Sequence, residues 1–175
     1  GFTHWAKLNN LKQAAKTINF LTEHGISSYG ELESKLTALS AWRDTAHAEI
    51  KRIESRSAEL TLVMKHAETY RQLKPIYDRY RKSNNKEKFL RGHESEIILF
   101  EAAARELKRL GAVPLPTTES MKTELANLNA EKERLLAEYK AARTEAQEYD
   151  TVKQNVDALM AVPKEQEQQR RHELE

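Results

Sequence analysis

The residues best equipped for chemistry lie between Arg71 and Arg91. Arg71, Lys74, Arg79, Arg81, Lys82, Lys86, Lys88 and Arg91 can neutralise phosphates, and Tyr77 or Tyr80 can offer a ring to an exposed base. The stretch from Tyr70 to His93, YRQLKPIYDRYRKSNNKEKFLRGH, sets eight basic residues against two acidic ones and interleaves three tyrosines and a phenylalanine. It carries a net charge of +6 in a chain of only +2, so the remainder sums to −4. Such asymmetry suits a tip that docks an anionic polymer, nucleic acid above all. The alternative is a solvated helix end with the rings packed beneath it. Tyr70 and Phe89 fit that second description best, and Tyr80 is the ring expected to stay exposed. No groove-reading helix stands out, so the sequence gives no basis for base-specific recognition.

Other chemistries lack their parts. The six histidines, His4, His24, His47, His66, His93 and His172, form no H-x-H, H-x-x-x-H or H-E-x-x-H pair, so no metal site is expected. In His93-Glu94-Ser95-Glu96 the acid three residues on reads better as part of a helix start than as a ligand. The chain has no cysteine, Gly-rich phosphate loop or G-x-S-x-G elbow. The abundant carboxylates read as solvated or paired one helical turn away. No catalytic residue and no cofactor is expected in this segment.

These side chains must be positioned by helices. At 175 residues, with 39% apolar and 32% charged residues, the composition points to a helical bundle or coiled coil. Five glycines and four prolines are too few for the turns of an all-β fold. The absence of cysteine is compatible with a cytoplasmic setting. No apolar run approaches the roughly 20 residues that cross a bilayer, so no membrane partner is expected. Gly1 reads as the residue left by a protease cut, so the chain is expected to be a piece of something longer.

A first helix is predicted over Thr3–His24, with Trp5, Leu8, Leu11, Ala15, Ile18 and Leu21 as its apolar stripe. Gly25 should end it in the left-handed conformation, with Ile26 folding back. Ser28 and Glu31 read as a capping box for a long helix from Tyr29. Its seam is Leu32, Leu36, Leu39, Ala46, Ile50, Ile53, Leu60, Met64 and Ala67, interrupted by Arg43 and Ser57. Pro75 should kink or break that helix, and Ser83-Asn84-Asn85 should turn the chain. A brief helical turn at Glu87–Leu90 precedes a helix over Glu94–Leu110 that buries Ile97, Ile98, Phe100, Ala104 and Leu107. Gly111 ends it, and residues 113–116 should be extended. Thr117 or Thr118 then caps a last long helix to about Ala161, with a seam running from Met121 through Leu125, Leu128, Lys132, Leu135, Tyr139, Ala142, Ala146, Tyr149 and Val156 to Met160. The tail, residues 163–175, is expected to be frayed helix or disordered. Trp5 and Trp42 are read as packing between the first two helices.

The two long seams match in length, 45 residues from Tyr29 to Leu73 and 44 from Thr118 to Ala161. Laid antiparallel, seam meets seam when paired numbers sum to about 192, as in Leu32 with Met160 or Ile53 with Tyr139. The expected fold is all-α: a single domain over residues 2–162, built on a long antiparallel intramolecular coiled coil with satellite helices at both ends. A monomer is favoured over a dimer.

Two stretches carry a resemblance: WAKLNNLKQAAKTINFLTEHGISSYGEL at residues 5–32, and YDRYRKSNNKEKFLRGHESEIILFEAAARELKRLG at 77–111, followed by Leu115-Pro116. With the closing QNVDALM they resemble the helical region that follows the nuclease domain in relaxase/mobilisation proteins of conjugative transposons from Gram-positive gut bacteria. The resemblance spans about residues 5–160, and Pro75 departs from it. It implies a non-catalytic part of a protein that nicks DNA for conjugative transfer. The tyrosine nucleophile and histidine-held metal of such relaxases belong to an N-terminal domain whose motifs are missing here, so no tyrosine of this chain inherits a catalytic role. DNA is the implied partner, bound through the Tyr70–Arg91 tip. The alternative is an interaction arm, spacer or dimerisation module that docks coupling or accessory proteins of the conjugation machinery.

Overall fold

The computed structural model describes the backbone of residues 2–172 and the side chains of residues 10–161. Four helices follow one another, α1 (Phe2–Glu23), α2 (Tyr29–Lys82), α3 (Lys86–Arg109) and α4 (Thr118–His172), and no strand occurs among the described residues. The protein is all-α. It divides into two compact units, one of Gly1–His47 with Ala137–Glu175 and the other of Ala48–Leu136.

The punctuation follows the residues expected to supply it. Gly25 has φ +66, and the amides of Gly25 and Ile26 donate to the carbonyls of Thr22 and Leu21 at 3.2 and 2.8 Å, which closes α1 as a Schellman motif. Gly111 repeats the arrangement at φ +68, with Gly111 and Ala112 donating to Lys108 and Leu107 at 3.1 and 2.9 Å. Ser28 Oγ accepts from the Glu31 amide at 3.2 Å, but the Glu31 carboxylate reaches back to the Ser27 amide, at 2.7 Å, rather than to Ser28. Thr117 Oγ1 caps α4 by accepting from the Ser120 amide at 3.1 Å.

Pro75 does not break α2, which remains helical to Lys82. The missing amide leaves the Arg71 carbonyl without its usual donor, a defect costing about 3 kcal/mol in a helix interior. Packing on the face away from the proline offsets it. Tyr70 and Tyr77, two turns apart, both stack on Phe100, with ring centroids 4.7 and 4.2 Å away, and so pin the helix on either side of Pro75. The two helical pieces predicted at Glu87–Leu90 and Glu94–Leu110 join in α3 across a kink at His93, whose φ of −138 and ψ of 21 are not helical. The backbone of α4 stays helical past Pro163 to His172, beyond the end expected near Ala161.

In the first unit, Leu32, Tyr149 and Val152 are buried, with Phe20, Leu21, Ile26, Leu36, Leu39 and Val156 packed around them. Phe20 meets Tyr149 edge-on at 5.0 Å. That contact turns α1 away from its predicted stripe: Thr17 is buried and Phe20 and Leu21 half-buried, whereas Leu11 and Ile18 are 67% and 59% exposed. Leu21 belongs to both possible faces, and the larger ring of Phe20 decides between them. Trp42 stays 37% exposed instead of filling a stripe, and the Trp5 and Leu8 side chains lie outside the described residues. In the second unit, Leu60, Val63, Ala67, Leu107, Ala112 and Met121 form the core, bringing together α2, α3 and the start of α4. Ile97, Phe100 and Leu107 face inward on α3 as expected, but Ile98 is 57% exposed and Ala103 takes the fully buried place given to Ala104.

Within each unit α2 and α4 run antiparallel, in a register different from the predicted one. Tyr29 Oη donates to Asp157 at 2.8 Å, the His47 and Tyr139 rings lie 6.4 Å apart, and Lys132 pairs with Glu54 at 3.0 Å; the numbers of each pair sum to 186. Lys35–Glu145 and Arg56–Glu124, at 3.5 and 2.7 Å, sum to 180. The offset from 192 is 6 for the first three pairs and 12 for the other two, a slide between about one and two heptads. A seam with period seven meets its partner equally well after such a slide, so the apolar pattern alone does not choose between registers. Met160, predicted opposite Leu32, is 58% exposed, and Leu32 clusters instead with Tyr149 and Val152.

Candidate nucleic-acid interface

The second unit holds the basic stretch as a hairpin: the last turns of α2, the turn Ser83–Asn85 and the first turns of α3. The turn is fixed by its own side chains. Ser83 Oγ accepts from the Asn85 amide at 3.2 Å, and Asn85 Oδ1 caps α3 by accepting from the Lys88 amide at 3.0 Å. Three helix residues before the turn and three after it bear free or nearly free cations.

The nine candidate residues separate by what they touch. Arg71 is a structural clamp, donating to the Pro116 carbonyl at 2.6 Å and to Thr118 Oγ1 at 2.7 Å. Lys74 is paired with Asp78 at 2.8 Å, which raises its pKa, chiefly through the hydrogen bond. Arg79 lies over the Phe89 ring at 5.7 Å, its guanidinium still exposed. Arg81, Lys82, Lys86, Lys88 and Arg91 are exposed, and no ion pair engages them among the described residues.

Helix electrostatics separates the cations before the turn from the lysines just after it. Arg79, Arg81 and Lys82 occupy the last turn of α2, where cations complement the negative end of the helix dipole. Lys86 and Lys88 sit at the start of α3, where the dipole already presents positive charge and only Glu87 opposes it. The first group is explained by helix stability. The second is not, and an anion seated there would be favoured by both the lysines and the helix end.

The rings are placed differently from the expectation for Tyr80. It is half-buried, between Tyr77 at 6.0 Å and Phe89 at 6.2 Å. A continuous series of ring contacts runs Tyr70–Phe100–Tyr77–Tyr80–Phe89–His93, the last pair at 4.6 Å. His93 Nδ1 lies 2.7 Å from the Glu96 carboxylate, which ties the ring to the turn that restarts α3 after the kink. Two of these contacts join residues of one helix at face-sharing spacings that the sequence displays: Tyr77 with Tyr80, and Phe89 with His93. Phe100 as the ring that bridges two helices carried no local signal.

Among the described residues, no three His, Cys, Asp or Glu side chains gather as a metal-binding group, and no helix is long and apolar enough to cross a membrane. No protein-family model, curated protein or solved structure matches the chain.

Proposed function

We propose that the chain is a non-catalytic helical module that binds DNA through the α2–α3 hairpin, as part of a conjugative relaxase acting in the cytoplasm. The observation that carries this reading is the set of exposed cations Arg81, Lys82, Lys86, Lys88 and Arg91 around one three-residue turn, with Lys86 and Lys88 placed against the helix dipole. The resemblance of residues 5–32 and 77–111 to the helical region of relaxases supplies the relaxase context. The module would hold DNA beside a nick made by another domain, and would act without pairing to a second copy of itself. Fluorescence anisotropy with labelled DNA tests the reading. Binding should be present at low salt, fall steeply as salt rises, and drop at least tenfold when Arg81, Lys82, Lys86 and Lys88 are changed together to alanine. Affinity indifferent to those four changes would sink the assignment.

A second reading, an arm that docks coupling or accessory proteins of conjugation, is favoured by the outward apolar side chains of Leu11 and Ile18 on α1. Leu11→Ser with Ile18→Ser should then lower transfer frequency while leaving DNA affinity unchanged.

A further inference from the structure

We infer that the hairpin reads the phosphate backbone and no base, so that its ligand is duplex DNA of any sequence in preference to single strands. The inference rests on the DNA-binding reading and deepens it. Single-strand binders stack bases on aromatic faces, and that requires rings whose faces are open. Here each ring of the hairpin contacts another ring of the protein, and all are buried or half-buried. Phe100 lies between Tyr70 and Tyr77, Tyr80 between Tyr77 and Phe89, and Phe89 carries His93 on one neighbouring contact and the Arg79 guanidinium on another. A base stacking on half-buried Tyr80 would compete with neighbours in a series that also holds α3 against α2. What remains at the surface is cationic: Arg81, Lys82, Lys86, Lys88 and Arg91. Lysine ammoniums, three of these five, are point charges without the planar fork that reads guanine edges.

Such a surface recognises charge density, which is greater along a duplex than along a single strand. Five phosphate contacts predict a slope of log affinity against log salt of about −4.5 for duplex DNA and about −3.5 for a single strand.

The test is an anisotropy titration of the full chain with a 5′-labelled mixed-sequence duplex, one of its strands, and an abasic strand of the same length. The abasic strand should bind within about twofold of the strand that carries bases, and the duplex more tightly than either. Tyr80→Leu should leave affinity for all three unchanged while lowering the thermal midpoint. Tenfold weaker binding to the abasic strand, or tighter binding to the single strand than to the duplex, would overturn the inference while leaving DNA binding in place. Failure of the unaltered chain to bind any of the three at low salt would instead overturn the DNA-binding reading itself. The abasic comparison uses the unaltered chain, so it stands even if Tyr80→Leu does not fold.

Discussion

Arg71 shows why a basic residue cannot be assigned from charge alone. It belongs by sequence to the basic stretch, yet its guanidinium ties α2 to the Pro116 carbonyl and to Thr118 at the start of α4. Arg71→Ala should therefore destabilise the protein by about 1 kcal/mol, seen as a lower denaturation midpoint, with the salt slope of DNA binding unchanged. Lys86→Ala should do the reverse, relieving a like-charge contact at a helix start while reducing that slope by about 1. Acid sensitivity also belongs to single residues. The Tyr29 hydroxyl, and after it the Lys153 ammonium, hold the Asp157 carboxyl below its ordinary value of 3.8. The Ser27 amide and hydroxyl hold Glu31 below its ordinary 4.5. A carboxyl depressed by folding stabilises the native state above its unfolded pKa and loses that effect as pH falls through the lower folded value. Thermal midpoints should therefore decline below about pH 4, and Tyr29→Phe should make the decline shallower, because Asp157 then loses its main hydrogen bond. An unchanged acid profile in Tyr29→Phe would remove that pair from the account.

At the scale of elements, the sequence was most readable where a residue has a local duty. Gly25, Gly111, Ser28 and Thr117 mark helix ends because positive φ or an orphan amide demands their types, and each sits where it was expected. Less readable were choices made between distant elements. The face of α1 turned on the contact between Phe20 and Tyr149, and the continuity of α2 past Pro75 turned on Phe100, more than twenty residues away. Register was hidden for a different reason: a heptad pattern is blind to a slide of one heptad, and the polar pairs that resolve it, such as Tyr29 with Asp157 and Glu54 with Lys132, flank the seam. Because the chain has no cysteine, engineered pairs can test this cleanly. Cysteines at Leu32 and Val152 should cross-link efficiently with a short bifunctional reagent, whereas cysteines at Leu32 and Met160 should not. The opposite yield would restore the register of 192.

For the molecule as a whole, the all-α class and the antiparallel pairing of α2 with α4 within each unit were legible, since periodicity and matched seam lengths both encode them. The candidate interface was only half legible. Charge picked out the basic stretch as a group, but the partition into Arg71 and Lys74, which hold the protein's own atoms, and the five open side chains required three-dimensional neighbours. The same holds for Tyr80, whose ring is spent on Tyr77 and Phe89. Helical hydrogen bonding lapses at Ser83–Asn85, between Lys82 and Lys86, so the most readily opened backbone of the hairpin lies next to residues at which trypsin cuts. Lys74 is followed by Pro75 and resists the same protease. A first nick after Lys82 would thus fall inside the proposed contact surface, and DNA bound there should slow it in proportion to occupancy. The protein carries its own footprinting reporter, one that needs no label and reads binding as the survival of a single peptide bond.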